Sequence, residues 1–233
     1  MTVERAAIVT GAGRGIGAAV AAELADRGYR LAVLSPSGAP AAVRAHGAVG
    51  VAGSVTNPAD LARVVDAALQ RFGRVDAVVN STGHPPRGRL LELTDADWLA
   101  GVDLLLLNAV RMARLVTPVF LRQGGGSVVN VSTFSAFEPS AAFPVSSALR
   151  AALGSFAKMY ADEYAAHGIR MNNVLPGFVE SYPVDAETLR RIPMGRPGTL
   201  GEIARTVAFL LSDDAGYLTG QNLRVDGGLT RSV

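Results

Sequence analysis

Short apolar runs alternate with amphipathic helical stretches along the whole chain, which predicts an α/β fold class: a doubly wound parallel sheet in three α/β/α layers. Two further observations support this. The run 6–9 (Ala-Ala-Ile-Val) is apolar at every position, as expected of a strand buried on both faces. It leads directly into Thr10-Gly11-Ala12-Gly13-Arg14-Gly15-Ile16-Gly17 and then into the helix-forming stretch 18–25. Glycine tolerates positive φ and lets another backbone or a ligand come close. A strand, a glycine turn and a helix N-terminus together aim free N–H groups at an anion. That is the pyrophosphate cradle of a Rossmann-type dinucleotide fold, and the correct flanking elements make it weigh more than an isolated GxGxxG.

The remaining elements follow in order. Residues 30–34 and 48–52 read as the second and third strands. Residues 58–72 form an amphipathic helix with Leu61, Val64, Val65, Ala68 and Leu69 on one face. A fourth strand is expected over 75–79, and a long helix over 95–122, entered through Thr94 as its cap. A fifth strand over 127–131, a second long helix over 142–167 and a sixth strand over 169–175 come next. A helix over 199–211 and a strand over 222–225 close the pattern. No linker or repeat divides these elements, so a single domain spanning 1–233 is expected. The Pro/Gly-rich segment 176–197 is the longest irregular one. It follows the carboxyl end of a strand, where ligands of α/β sheets bind, and reads as a substrate lid.

Composition removes several classes of function. The 233 residues are 49% hydrophobic, but their apolar segments are short and broken by Gly, Pro or charge, so neither a membrane span nor a signal peptide is expected. The chain has no Cys, which excludes disulfides and thiolate chemistry and is compatible with a cytoplasmic location. Its three His (His46, His84, His167) are scattered, so no metal site is expected. A net charge of +2 without a basic run argues against nucleic acid as a partner. Lys158 is the only lysine.

Taken together, the motifs resemble those of the short-chain dehydrogenase/reductase family, over essentially the whole chain. Thr10 to Gly17 resembles the family's TGxxxGxG turn, and Asn80-Ser81-Thr82-Gly83 stands where its NNAG follows the fourth strand. Asn108 stands where the family has an active-site Asn in the long helix. Pro176-Gly177 matches its PG after the sixth strand, and Gly220-Gln221 with Asp226-Gly227-Gly228 matches its C-terminal pattern. The resemblance implies a dinucleotide held by Gly11, Gly13, Arg14, Gly15, Ile16, Gly17, Ser35, Asn80, Gly83, Arg150, Pro176 and Gly177. It also implies a homodimer or homotetramer paired through the two long helices.

The family's catalytic pattern of Ser, then Tyr, then Lys falls here on Thr133, Ser146 and Arg150. Thr133 keeps a hydroxyl able to bond a substrate oxygen, with Ser132 beside it as an alternative donor. Ser146 is shorter and far less acidic than a phenol, so it needs a partner to act as a general acid. Arg150 keeps the positive charge and can donate to ribose hydroxyls, but it does not readily surrender a proton. Other proton sources are therefore candidates. His84 follows the NNAG-like segment and has a near-neutral pKa. Tyr182, on the lid, could bring a phenol into the vacated space, and Glu138 and Glu180 are further options.

The second strand ends in Leu34-Ser35-Pro36-Ser37 without an acidic residue for a ribose diol. Arg14 could pair with a 2′-phosphate instead, so NADP(H) is favoured over NAD(H). Ser54 replaces the acidic residue that usually follows the third strand. The leading functional expectation is an NADP(H)-dependent oxidoreductase acting on a small carbonyl or enone through a non-standard proton relay. A non-redox enzyme on the same scaffold (lyase, dehydratase, cyclase or isomerase) and a catalytically silent cofactor-binding protein remain as alternatives.

Overall fold

A computed structural model describes residues 4–232. Its strands are β1 (Ala6–Thr10), β2 (Arg30–Ser35), β3 (Val49–Ala52), β4 (Ala77–Asn80), β5 (Gly126–Val131), β6 (Ile169–Pro176) and β7 (Asn222–Val225). They form one all-parallel sheet in the order β3-β2-β1-β4-β5-β6-β7. The chain works outward from β1 to one edge, then crosses back to β4 and works to the other. The carboxyl ends of β1 and β4 therefore flank the switch point, where connections diverge and leave a crevice.

Successive strand residues face opposite sides of the sheet, which divides the core in two. Ala7 and Val9 pack with α1 (Gly15–Asp26) and α8 (Leu200–Leu211) on one face. Ile8, Val78 and Val128 pack on the other with α3 (Pro58–Phe72), α5 (Asn108–Gln123) and α6 (Pro144–Tyr164). Local chemistry sets the helix boundaries. Asn57 accepts from Ala59 N at 3.0 Å and Pro58 follows at the first helical position of α3. Capping boxes open α4 (Asp95–Gly101) through Thr94 and Asp97, and α8 through Thr199 and Glu202.

The structure differs from expectation in several places. The fourth strand begins at Ala77, because Asp76 is used to tie the strand's entry: its carboxylate accepts from Ala6 N at 2.8 Å and pairs with Arg74. Helix α6 starts at Pro144, since proline drives the residue before it, Phe143, out of the helical conformation, and it ends at Tyr164. Residues 165–167 wind more tightly and stop at Gly168. Two short helices were not anticipated, α2 (Ala41–Arg44) and α7 (Ala186–Arg191); the second interrupts the segment expected to be irregular, with Asp185 accepting from Thr188 N at 2.7 Å.

The first long helix is continuous over Asp95–Gln123 but widens to a π-helical stretch at Val102–Leu107, immediately before Asn108. By length and composition this helix could cross a membrane, with a mean hydropathy of 1.6 in its most apolar window, half of which is buried inside the protein. Met112, Val116 and Phe120 from it are in the core against the sheet.

Candidate active site at the switch point

The glycine turn is built by steric necessity. A Cβ on Gly11, which has φ of 61°, would lie 2.5 Å from the Ser81 carbonyl oxygen. One on Gly17 would lie 2.3 Å from the Gly11 carbonyl oxygen. The first closes β1 against the end of β4, and the second lets the first turn of α1 pack onto the turn itself. Thr10 fixes the same junction: its hydroxyl donates to Ser81 O at 2.9 Å and accepts from Ser81 N at 3.0 Å. Arg14 precedes α1 in extended conformation and supplies no side-chain cap, so the first N–H groups of α1, at Gly15, Ile16 and Gly17, have no side-chain partner. Such a terminus suits a phosphate.

Gly13 faces the end of β2. Ser35 there is buried, and its hydroxyl donates to Gly38 O at 2.6 Å. No carboxylate stands in Leu34-Ser35-Pro36-Ser37. Beyond β3, Ser54 N donates to the Asp60 carboxylate at 2.8 Å, and Asp60 also pairs with Arg63. These two contacts, the backbone one first, hold the Asp60 carboxyl below the usual carboxylate range. An acidic group thus does sit at the end of the third strand, delivered from the first turn of α3.

On the other side of the crevice, four asparagines stand in register across β4, β5, β6 and β7: Asn80, Asn130, Asn173 and Asn222. Each donates its side-chain amide to the carbonyl oxygen of the next, at 2.8, 2.8 and 2.7 Å. The ladder begins at Asn80, which is 4% exposed and whose Oδ1 has no partner among the described residues. Buried amide oxygens normally find a donor, so this atom offers an acceptor beside the crevice.

Arg150, buried on α6, reaches the same strand ends. It donates to the Val131 carbonyl at the end of β5 and, at 3.4 Å, to the Thr82 hydroxyl after β4. Loss of solvent pulls its pKa from the usual arginine value to about 10, so it stays charged at neutral pH. Thr133 follows β5 in extended conformation, half-buried, and its hydroxyl accepts from Ser135 at 3.4 Å. Ser146 is half-buried in the first turn of α6. Asn108 is buried, and its amide donates to Leu104 O, within the wide stretch of the helix. Widened turns of this kind often mark functional positions.

The structure joins two candidates from distant parts of the sequence. His84, after β4, and Tyr182, after β6, meet through Nε2 and the phenol oxygen at 2.5 Å, with the rings edge to face and centroids 4.9 Å apart. Partial loss of solvent, and then the positive charges of Arg87, Arg150 and Arg14, hold the His84 pKa below its usual value. Tyr182 is 47% exposed, so the pair stands at the mouth of the crevice. Gly83 is exposed immediately before His84. Pro176 pairs with Val225 across β6 and β7, and Gly177 lies so close to Asp226 that a Cβ would be 2.8 Å from its Cα.

The two other acidic candidates are engaged elsewhere. Glu138 accepts at 2.6 Å each from Arg231 N, Ser232 N and the Ser232 hydroxyl, which holds its pKa low and ties down the C-terminal tail. Glu180 accepts from Leu200 N at 2.7 Å, at the start of α8. The asparagine ladder and Arg87 were missed from the sequence. The first gives no local signal, because its four asparagines stand at different places along their strands and only register brings them level.

Comparison with known proteins agrees with this geometry. A family profile described as "Enoyl-(Acyl carrier protein) reductase" matches residues 11–230. The "3-oxoacyl-[acyl-carrier-protein] reductase FabG" of Vibrio cholerae is 35% identical over 236 residues, covering 97% of each chain. The protein of that name from Escherichia coli K12 is 35% identical over 96% of each chain, and that of Staphylococcus aureus Mu50 is 34% identical over 98% of this chain and 99% of its own. The solved structure of the TT0495 protein from Thermus thermophilus superposes with a TM-score of 0.88 at 35% identity, covering 97% of this chain and 99% of that one. With its single parallel sheet, its glycine turn and these full-length similarities, the chain belongs to the short-chain dehydrogenase/reductase family of oxidoreductases.

Proposed function

We propose that the protein is an NADP(H)-dependent oxidoreductase acting on a small carbonyl or enone, and that its proton passes through Tyr182 and His84. The observation that carries this reading is the hydrogen bond between those two side chains, 98 residues apart, at the mouth of the crevice. The relatives are named for reduction of a 3-oxoacyl group and the matching profile for an enoyl group, which are the carbonyl and enone chemistries in question.

The residues present fit the cofactor. The uncapped first turn of α1 would receive its phosphates, the turn glycines leave no Cβ in their way, and Arg14 would pair with a 2′-phosphate that the acid-free end of β2 does not repel. Gly83, Pro176 and Gly177 shape the opposite wall, and Asn80 offers its free Oδ1. The bound nicotinamide supplies or accepts a hydride. Everything else falls to the chain. Thr133 orients the substrate oxygen, and Ser146 stands at the position the family gives to tyrosine. Tyr182 donates its phenolic proton to the substrate as negative charge develops there. His84 Nε2 returns a proton to Tyr182 while its other nitrogen takes one from water. Because His84 is held neutral at neutral pH, it can hand on a proton without carrying a net charge.

Segment 176–197 acts as the lid, since it carries Tyr182 and is tied back through the pairing of Val179 with Gly198. Asn108 positions the long helix beneath the site. A homodimer or homotetramer, a cytoplasmic location and one domain over 1–233 complete the reading. Titration of the protein with NADPH, followed by the fluorescence of the bound nicotinamide, tests the cofactor: saturable binding tighter than that of NADH is expected, and no binding sinks the reading. Turnover of a substrate with no dependence on reduced cofactor would support the non-redox alternative instead.

A further inference from the structure

Arg150 is a buried cation with no counter-charge among the described residues. It is 8% exposed, and both of its hydrogen-bond partners, the Val131 carbonyl and the Thr82 hydroxyl, are neutral. It enters none of the ion pairs among the described residues. Desolvating an ion without an opposite charge is costly, and a guanidinium does not escape the cost by losing its proton near neutral pH. The other charges felt at this end of the crevice do not help: the groups acting on His84 are Arg87, Arg150 and Arg14, all positive. The phosphates of a bound dinucleotide do not answer the need either, because their cradle follows β1, whereas Arg150 reaches the ends of β4 and β5. Arg150 also lines, with Gly154, Leu175 and Asn222, a pocket between α6 and the start of β7, so its surroundings are reachable by a small molecule.

We propose that Arg150 binds a carboxylate carried by the substrate, so that the compound acted on is a small oxo acid or unsaturated acid rather than a neutral carbonyl. The guanidinium N–H groups not engaged by Val131 and Thr82 donate to the carboxylate oxygens, and the planar fork of arginine suits both oxygens at once. This rests on the oxidoreductase reading for the reacting carbonyl, though not for the anion. It also gives a reason for arginine at a position whose other duties a smaller cation could perform.

The test uses the full-length protein saturated with NADPH, titrated in parallel with acetoacetate and with its neutral methyl ester, and followed by thermal melting. The acid is expected to bind about tenfold or more tightly than the ester, as a charge-assisted contact implies. Arg150→Lys keeps part of that preference and Arg150→Met loses it. Equal binding of acid and ester, absence of binding by both, or an undiminished preference in Arg150→Met overturns the proposal. So does acid binding that appears only without NADPH, since the charge would then serve the cofactor. Failure of NADPH itself to bind sinks the oxidoreductase reading instead, and the acid preference is then read on the cofactor-free protein.

Discussion

The two walls of the crevice are built on different principles. The β1 wall is held by exclusion: Gly11 and Gly17 are fixed because any side chain would collide with a backbone carbonyl. The β4–β7 wall is held by partnership: Asn80 to Asn222, Arg150 to Thr82 and Val131, and His84 to Tyr182 each depend on a residue that tertiary structure alone brings near. Exclusion leaves little freedom to vary, whereas a partnership can be exchanged for another of equal energy. A fold can therefore keep its cofactor cradle while the chemistry beside it is rebuilt.

The largest effect is expected where exclusion is violated. Gly17→Ala sets a Cβ 2.3 Å from the Gly11 carbonyl oxygen, and backbone cannot yield as a flexible side chain would. Overpacking of this kind costs about 1–3 kcal/mol, and the turn must open to relieve it. NADPH binding should be lost, and with it all activity, while the melting temperature falls by several degrees. Fluorescence titration and a thermal melt measure the two effects separately.

A partnership should fail differently. Tyr182→Phe removes the proposed acid and is expected to lower kcat by about 10²–10⁴-fold, with NADPH affinity unchanged. His84→Gln keeps a hydrogen-bonding group but not a titrating one, and a smaller loss is expected. The pH profile supplies the sign. Because the folded His84 pKa lies below its usual value, wild-type activity should hold through neutral pH and fall only in acid, where protonation leaves His84 no free nitrogen to take a proton from water. The Gln variant should lose that acidic limb. A limb unchanged by the substitution would remove His84 from the relay.

The same contrast explains what the sequence made legible. The strand–turn–helix unit and the parallel alternation were readable because each rests on local sterics or period, as at Thr10–Gly17 and in the apolar run of β1. Helix ends were readable where the cap is a neighbour, as Thr94 is. The asparagine ladder was not, because asparagines at different places along four strands mean nothing until register aligns them. Asp60 at the end of β3 was hidden for the same reason: Ser54 occupies the expected position, and the acid arrives from the next helix. His84 and Tyr182 were each visible as candidates, but their pairing was not.

The ladder gives a prediction about stability rather than cofactor binding. Asn130→Ala removes the middle amide and leaves the Asn80 amide donor and the Asn173 oxygen unpaired in a buried site. Each orphaned group costs about 1–3 kcal/mol, so a loss of several kcal/mol is expected in urea unfolding. Asn222→Ala, at the exposed end of the ladder, should cost about 0.5–1.5 kcal/mol, the net worth of one hydrogen bond. Equal costs for the two would mean that the ladder does not act as a buried chain.

The smallest effect is expected at the exposed edge of the cradle, and it separates the two principles most sharply. The Arg14 side chain violates no contact and holds no partner among the described residues; it lies exposed before α1. Its only proposed work is the 2′-phosphate, so Arg14→Ala should leave NADH affinity and the melting temperature unchanged. NADPH affinity should fall by about tenfold, the worth of about 1.4 kcal/mol from one exposed charge-assisted contact. The ratio of the two dissociation constants is the measurement, because turn damage would weaken both cofactors together. A fall confined to NADPH places the selectivity in one solvent-facing side chain, on a wall whose backbone is otherwise set by exclusion.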